Sequence, residues 1–145
     1  MPRMTGPFGQ WGPIVDVKVM LTPQRVDALR KRNIPFAKPV VVAALLDTGA
    51  SSSCIDTYLV NVLGLQQHGV ALIHTPSTGS NFETRAQYDA CFVLGEGLEK
   101  PLHRILSVIE SEFASQGFLV LIGRDLLKDC IFTYNGPKSR YTLRY

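Results

Sequence analysis

A single, mostly β domain is what this sequence predicts, and three observations carry that prediction. An apolar, charge-free run, Val40 to Leu46, ends at Asp47-Thr48-Gly49 and a small-residue stretch, Ala50-Ser51-Ser52-Ser53. Its β-branched start and its freedom from charge read as a fully buried strand. A second such run, Phe118 to Ile122, ends at Gly123 and enters a short helix at Arg124-Asp125-Leu126-Leu127. The remaining apolar segments are divided by Gly, Pro, Asn and Ser clusters, the punctuation of hairpins.

Pro2, Gly6, Pro7, Gly9, Gly12 and Pro13 mark residues 1–13 as a flexible N-terminal arm, leaving residues 14–145 as the domain. Ile14 to Leu21 alternates apolar and polar side chains and reads as a strand. Thr22-Pro23 supplies a helix cap followed by a first-turn proline, leading into Gln24 to Arg32. Asp56 can cap a short helix, Thr57 to Leu63, which Gly64 ends. Val70 to Thr75 and Phe82 to Leu94 form the arms of a long hairpin whose tip is Pro76 to Asn81. The second arm pairs again with Leu102 to Ile109 through Gly95, Gly97 and Pro101. A last hairpin joins Ile131 to Tyr134 with Tyr141 to Tyr145 around Asn135-Gly136-Pro137.

With 145 residues the chain is one domain, able to bury roughly two-thirds of its unfolded surface without disulfides or metal. A net charge of +3 gives no nucleic-acid footprint, and the Arg25, Arg30, Lys31, Arg32 and Lys38 cluster reads as a solvated helix face. Cys54, Cys91 and Cys130 are odd in number and sit among apolar residues, as reduced thiols of a cytoplasmic protein do. Residues 1–13 lack the apolar core of a signal peptide, and no apolar stretch is long enough to span a bilayer. His68, His74 and His103 lack metal-ligand spacing, so neither metal nor other cofactor is expected. No Gly-x-Ser-x-Gly elbow is present, and Cys54, flanked by Ser53 and Ile55, reads as a packed thiol.

The chemistry therefore rests on Asp47. A buried strand that delivers a carboxylate into a glycine turn places that acid at a rigid edge, open to ligand. With Ala44-Leu45-Leu46-Asp47-Thr48-Gly49-Ala50-Ser51 and Leu121-Ile122-Gly123-Arg124-Asp125-Leu126-Leu127 both in view, the chain resembles the retropepsin-like aspartic proteases. These comprise retroviral proteases, the protease-like domain of DNA-damage-inducible proteins, and small bacterial relatives. The resemblance covers roughly residues 14–145. It is closest to the bacterial relatives, which similarly carry His74-Thr75-Pro76-Ser77-Thr78 and Tyr134-Asn135-Gly136-Pro137.

That resemblance implies a closed acid-protease barrel with a flap hairpin and short helices, and an aspartic endopeptidase as the activity. Two carboxyls sharing one proton can act as base for water and as acid for the carbonyl oxygen. At about 3 Å apart they cannot both ionise. One Asp-Thr-Gly per chain excludes the two-lobed, pepsin-like arrangement, so Asp47 is expected to meet its copy in a homodimer. Thr48 is expected to brace that junction, Gly49 to let substrate backbone approach, and Gly123 and Arg124 to support the loop. Ser51 and Ser52 are candidate substrate contacts, as are Thr78, Gly79 and Ser80 at the flap tip. Arg124 lacks the acidic partner of viral enzymes, because Ser51 stands in that place. Tyr141, Leu143 and Tyr145 share one face of the last strand and are expected to help build the dimer. Peptide substrates would lie extended between loops and flaps, with no nucleic acid or membrane as partner. The alternative is a non-catalytic peptide-binding or assembly module on the same fold. The intact Asp47-Thr48-Gly49 favours the enzyme.

Overall fold

The structure is a computed structural model that describes residues 1–74, 77 and 79–145. Its first departure from expectation is at the N-terminus. Residues Arg3–Gly9 form strand β1, paired antiparallel with the last strand from Arg3↔Arg144 to Pro7↔Arg140, where a flexible arm was expected. Gly6 explains the fit: a Cβ there would lie 2.6 Å from the Tyr141 ring, so the glycine makes room for a core aromatic. β1 turns through Gln10-Trp11 into β2 (Gly12–Met20), with Gly12 at φ +131°.

Helix α1 (Pro23–Lys31) starts where the cap signal placed it, the Thr22 hydroxyl accepting from the Arg25 N–H at 3.2 Å. Strand β3 (Val40–Leu46) then leads to the Asp47 loop and to β4 (Cys54–Asp56). Asp56 caps α2 (Thr57–Leu63) by accepting from the Tyr58 N–H at 2.8 Å, and Gly64 stops the helix at φ +65°. The long hairpin is β5 (Gln67–Ile73) with β6 (Glu83–Leu94), followed by β7 (Leu102–Ser111). β5 begins earlier than its apolar residues suggest, because Gln67 pairs with Tyr88 across an irregularity at Gly69. β8 (Val120–Ile122) begins later than Phe118, whose ring packs 5.0 Å from that of Phe113 instead. α3 (Arg124–Leu127), β9 (Ile131–Asn135) and β10 (Arg140–Arg144) complete the chain.

Six of these strands close a barrel in the order β6-β7-β4-β8-β3-β2, the ring being completed by β2 pairing with β6 from Val17↔Leu94 to Met20↔Cys91. Two pairings are parallel, β3 with β8 and β4 with β7; the others are antiparallel. The interior is filled by Val17, Val19, Ala44, Ile55, Phe92, Leu94, Val108, Val120 and Ile122, all essentially inaccessible to solvent. β5 extends from the barrel on β6, and β1-β10-β9 extend from β2. No helix among the described residues is long and apolar enough to cross a membrane.

The C-terminal strand also departs from expectation. β10 is not an edge, since β1 and β9 flank it on both sides, and the free edge of that sheet is β9. Tyr141 and Leu143 are buried in the chain's own core rather than held out for a partner. The Tyr141 hydroxyl donates to the Ile14 carbonyl at 2.8 Å. Burial first, then the nearby Asp16 charge, pushes its pKa up to about 12 from 10. The raised value means the neutral phenol is favoured in the folded chain. Its contribution to stability is complete below pH 10 and is lost as pH climbs from 10 to about 12. Tyr141→Phe should cost about 1 kcal/mol at neutral pH in urea unfolding and should reduce the loss of stability across that alkaline window. An unchanged alkaline transition in the variant would assign it to other groups.

Candidate active site

Asp47 follows directly on β3 and continues its alternation. Ala44 and Leu46 point into the core, so Leu45 and Asp47 belong to the outer face. The Asp47 N–H donates to the Ile122 carbonyl at 2.9 Å, which extends the β3–β8 pairing to the catalytic candidate itself. Its carboxylate Oδ1 accepts from the Gly49 N–H at 2.8 Å, and the side chain remains half-buried. The turn closes further through Ala50 N–H to the Asp47 carbonyl at 3.3 Å. A Cβ on Gly49 would lie 3.1 Å from that Oδ1, a tight approach made easy by its absence.

The β8–α3 junction holds this loop from the other side. The Arg124 N–H donates to the Ala50 carbonyl at 2.9 Å, and its guanidinium Nη1 donates to the Thr48 carbonyl at 2.7 Å. The missing acid at Ser51 thus leaves Arg124 bound to backbone. At Gly123 a Cβ would lie 2.9 Å from the Ala50 oxygen and from the Ser52 carbonyl atoms, so any side chain there would displace the loop. Asp47, Thr48, Gly49, Gly123 and Arg124 are therefore brought together. Ser51 is exposed and Ser52 half-buried in the same loop. Gly79, at φ +62°, and the exposed Ser80 stand at the tip of the β5–β6 hairpin. Thr78 lies outside the described residues.

Two residues that sequence reading passed over complete the brace. Ser53 is fully buried; its hydroxyl accepts from the Gly123 N–H at 3.0 Å and donates to Asp125 Oδ1 at 2.7 Å. Asp125 Oδ2 accepts in turn from the Ser53 N–H at 2.9 Å. The available signal was an acid in the first turn of α3, where a carboxylate suits the helix end. Asp56 does similar work nearby, accepting from the Phe113 and Ala114 N–H groups at 2.8 Å each.

Alongside the loop runs a row of side chains on the barrel's outer face. Successive pairings place Ile14 beside Leu45, Leu45 beside Leu121, Leu121 beside Cys54, Cys54 beside Ile109, and Ile109 beside Gln87. The barrel interior is full and Ile109 is itself buried, so an extended ligand reaching Asp47 has the half-buried Ile14, Leu45, Leu121, Cys54 and Gln87 of this row to lie against. Rival chemistries find no support. Burial pushes the Cys54 thiol up to about 11, with Arg85 opposing and Asp125 and Asp47 adding to the shift, the reverse of nucleophile activation. Ser107, His68 and Asp89 meet on the exposed surface, but the serine donates to Asp89 at 2.7 Å instead of to the imidazole. Among the described residues no group of three His, Cys, Asp or Glu side chains could hold a metal.

No protein-family model matches the sequence, and no curated protein matches it. The structure is similar to the crystal structure of a retropepsin-like aspartic protease from Rickettsia conorii. The TM-score is 0.59 at 16% identity, over 99% of this chain and 91% of that one. The fold is retropepsin-like. That likeness spans the N-terminal strand, the barrel and the C-terminal hairpin alike, and it joins a fold reading to the loop geometry described above.

Two outcomes check the site's construction. Ser53→Ala and Asp125→Ala should each cost about 1–3 kcal/mol, since each leaves buried partners unpaired. The double variant should cost clearly less than their sum in urea unfolding, because both act on one bonded unit; strict additivity would dissolve the brace. At pH 8 roughly one Cys54 thiol in a thousand is ionised when its pKa is about 11, so iodoacetamide should label it far more slowly than a free thiol. Labelling at the free-thiol rate would contradict that environment.

Proposed function

We propose that this protein is an aspartic endopeptidase, active as a homodimer in which a water is activated between two Asp47 carboxyls. The observation that carries this reading is the Asp47-Thr48-Gly49 loop itself. It is pinned through backbone and Arg124 to the β8–Gly123–α3 junction, on the outer face of a retropepsin-like barrel. Such bracing suits a mechanism that needs two like-charged groups held at fixed separation. Each chain supplies one such carboxyl, so the reading requires association.

In the proposed cycle one Asp47 carboxylate takes a proton from water as that water attacks the peptide carbonyl. The other, protonated, Asp47 gives its proton to the carbonyl oxygen, and the resulting tetrahedral species collapses with a proton passing to the leaving nitrogen. Thr48, exposed and without a described side-chain partner in its own chain, is available to brace the facing loop. Gly49 lets the substrate backbone approach, and Ser51 and Ser52 are within the same loop to bond it. The β5–β6 hairpin, with Gly79 and Ser80 at its tip, acts as the flap that excludes water.

Asp47→Asn should lower kcat/KM on a broad peptide library by about a thousandfold or more with the circular dichroism spectrum and sedimentation profile unchanged. A purified variant with substantial turnover would end the aspartic-protease reading, and a wild type that binds peptides without cutting them would leave a binding module. Wild-type activity should rise faster than linearly with protein concentration and follow a bell-shaped pH profile on the acidic side, as expected for a shared-proton pair. An active monomer in the ultracentrifuge, or a rate rising steadily into alkaline pH, would contradict the shared site.

A further inference from the structure

The outer-face row beside Asp47 is apolar from Ile14 to Ile109, but it ends differently. Arg85 lies two residues before Gln87 on β6, so it shares the face of Gln87, Ile109 and Cys54. Its charge and that of Asp47 both act on the Cys54 thiol, which lies between them along the face. Arg85 is thus the cationic end of the surface on which an extended ligand would lie.

Its own bonds leave it able to take a ligand. A guanidinium carries five N–H donors. Nη1 donates to the Ser111 hydroxyl at 2.7 Å, and Nη2 to Glu83 at 3.1 Å. Ser111 ends β7 beside Asp56, so the first bond fixes the guanidinium to the barrel rim. The second is a pair between two residues of the same strand, with side chains 31% and 50% exposed, a kind of contact that contributes little. A carboxylate on a bound peptide can take the place of Glu83 with a charge-assisted bond of its own. The adjoining cavity of about 470 Å³ is lined by Arg85, Ser111, Thr57, Glu83, Glu110 and Glu112. Glu110 lies beside the core residue Ile55, which puts it on the opposite face, where the Tyr88 hydroxyl donates to it at 3.4 Å. Glu112 also lines this cavity, and Glu83 is the acid bonded to Arg85, so it competes most directly for that guanidinium.

Building on the proposed peptidase, we infer that Arg85 is a specificity-determining residue that selects peptides carrying an acidic side chain, at a position removed from the scissile bond. Glu83 acts as the internal competitor for that position.

The test uses peptides with Glu, Gln or Lys scanned through each position, with the wild type, Arg85→Gln, Arg85→Lys and Glu83→Gln. Cleavage is read as kcat/KM. Binding of the same peptides is read by fluorescence anisotropy on Asp47→Asn alone and combined with each variant. At one position the wild type should prefer Glu over Gln by about fivefold. Arg85→Gln should bring that ratio to about one, Arg85→Lys should keep part of it, and Glu83→Gln should raise it. A ratio near one in a wild type that cuts peptides, or an equal ratio in Arg85→Gln, overturns the inference and leaves the peptidase standing. If the wild type cuts nothing, the anisotropy arm decides separately. A Glu preference in affinity that Arg85→Gln abolishes upholds acidic recognition while the peptidase falls, and the absence of any preference overturns both.

Discussion

Backbone resting on backbone at Gly123 is the constraint on which the site depends. The parallel pairing of β3 with β8 sets two strand ends side by side, and each end then breaks into a turn. The two turns can nest only because Gly123 has no Cβ, which would otherwise sit 2.9 Å from the Ala50 and Ser52 carbonyls. The strands are far apart in sequence, so nothing local holds them together. Barrel closure does that, and the loop's geometry is consequently a property of the whole sheet. A loosened β2–β6 seam would reach Asp47 through β3 even though neither seam strand touches the carboxylate.

The single turn of α3 grips the loop with two opposite charges used in opposite ways. Arg124 takes a carbonyl, that of Thr48, and Asp125 takes an N–H and a hydroxyl, those of Ser53. All three bonds join a side chain of α3 to the loop, so the loop needs no charged residue of its own besides Asp47. This accounts for the run Ser51-Ser52-Ser53. An acid at position 51 is dispensable for Arg124 once the guanidinium has a carbonyl. Ser53 is small enough to be buried and can satisfy a donor and an acceptor at once. Asp47 is left as the one acid of the loop, which keeps its environment simple in charge.

Local signals were legible in the sequence where the physics is local. Thr22 with Pro23, and Asp56 with Gly64, fix helix ends through neighbours two or three residues away, and the structure has those ends. The apolar runs Val40–Leu46 and Phe118–Ile122 announced strands, but not strands buried on both faces: Val41 is exposed and Leu45 and Leu121 are half-buried on the outer side, so the unbroken apolar run reflects an apolar outer face. The failures occur where the deciding partner is distant. Pro and Gly in residues 1–13 suggested an arm, yet Gly6 answers to the ring of Tyr141 more than a hundred residues on. The last strand looked like a face for a second chain because its alternation does not reveal that β1 and the chain's own core cover it. Ser53 and Asp125 escaped notice for the same reason: a buried polar pair is defined only when both chain segments are in place.

Rigidity of the Asp47 loop matters to the proposed chemistry. Two Asp47 carboxyls brought together from separate chains would repel until one is protonated, so the proposed dimer has to tolerate a like-charge approach at its centre. A floppy loop would relieve that repulsion by moving its carboxylate away. The Asp47 loop is held against such movement by contacts on both sides of the residue: the Asp47 N–H on the Ile122 carbonyl, the Gly49 N–H on the Asp47 carboxylate, and the α3 grip beyond. In the proposed dimer, two carboxyls that cannot retreat would have to share a proton, which is the acid–base asymmetry the proposed mechanism needs. The contacts that brace each proposed half-site all lie within one chain.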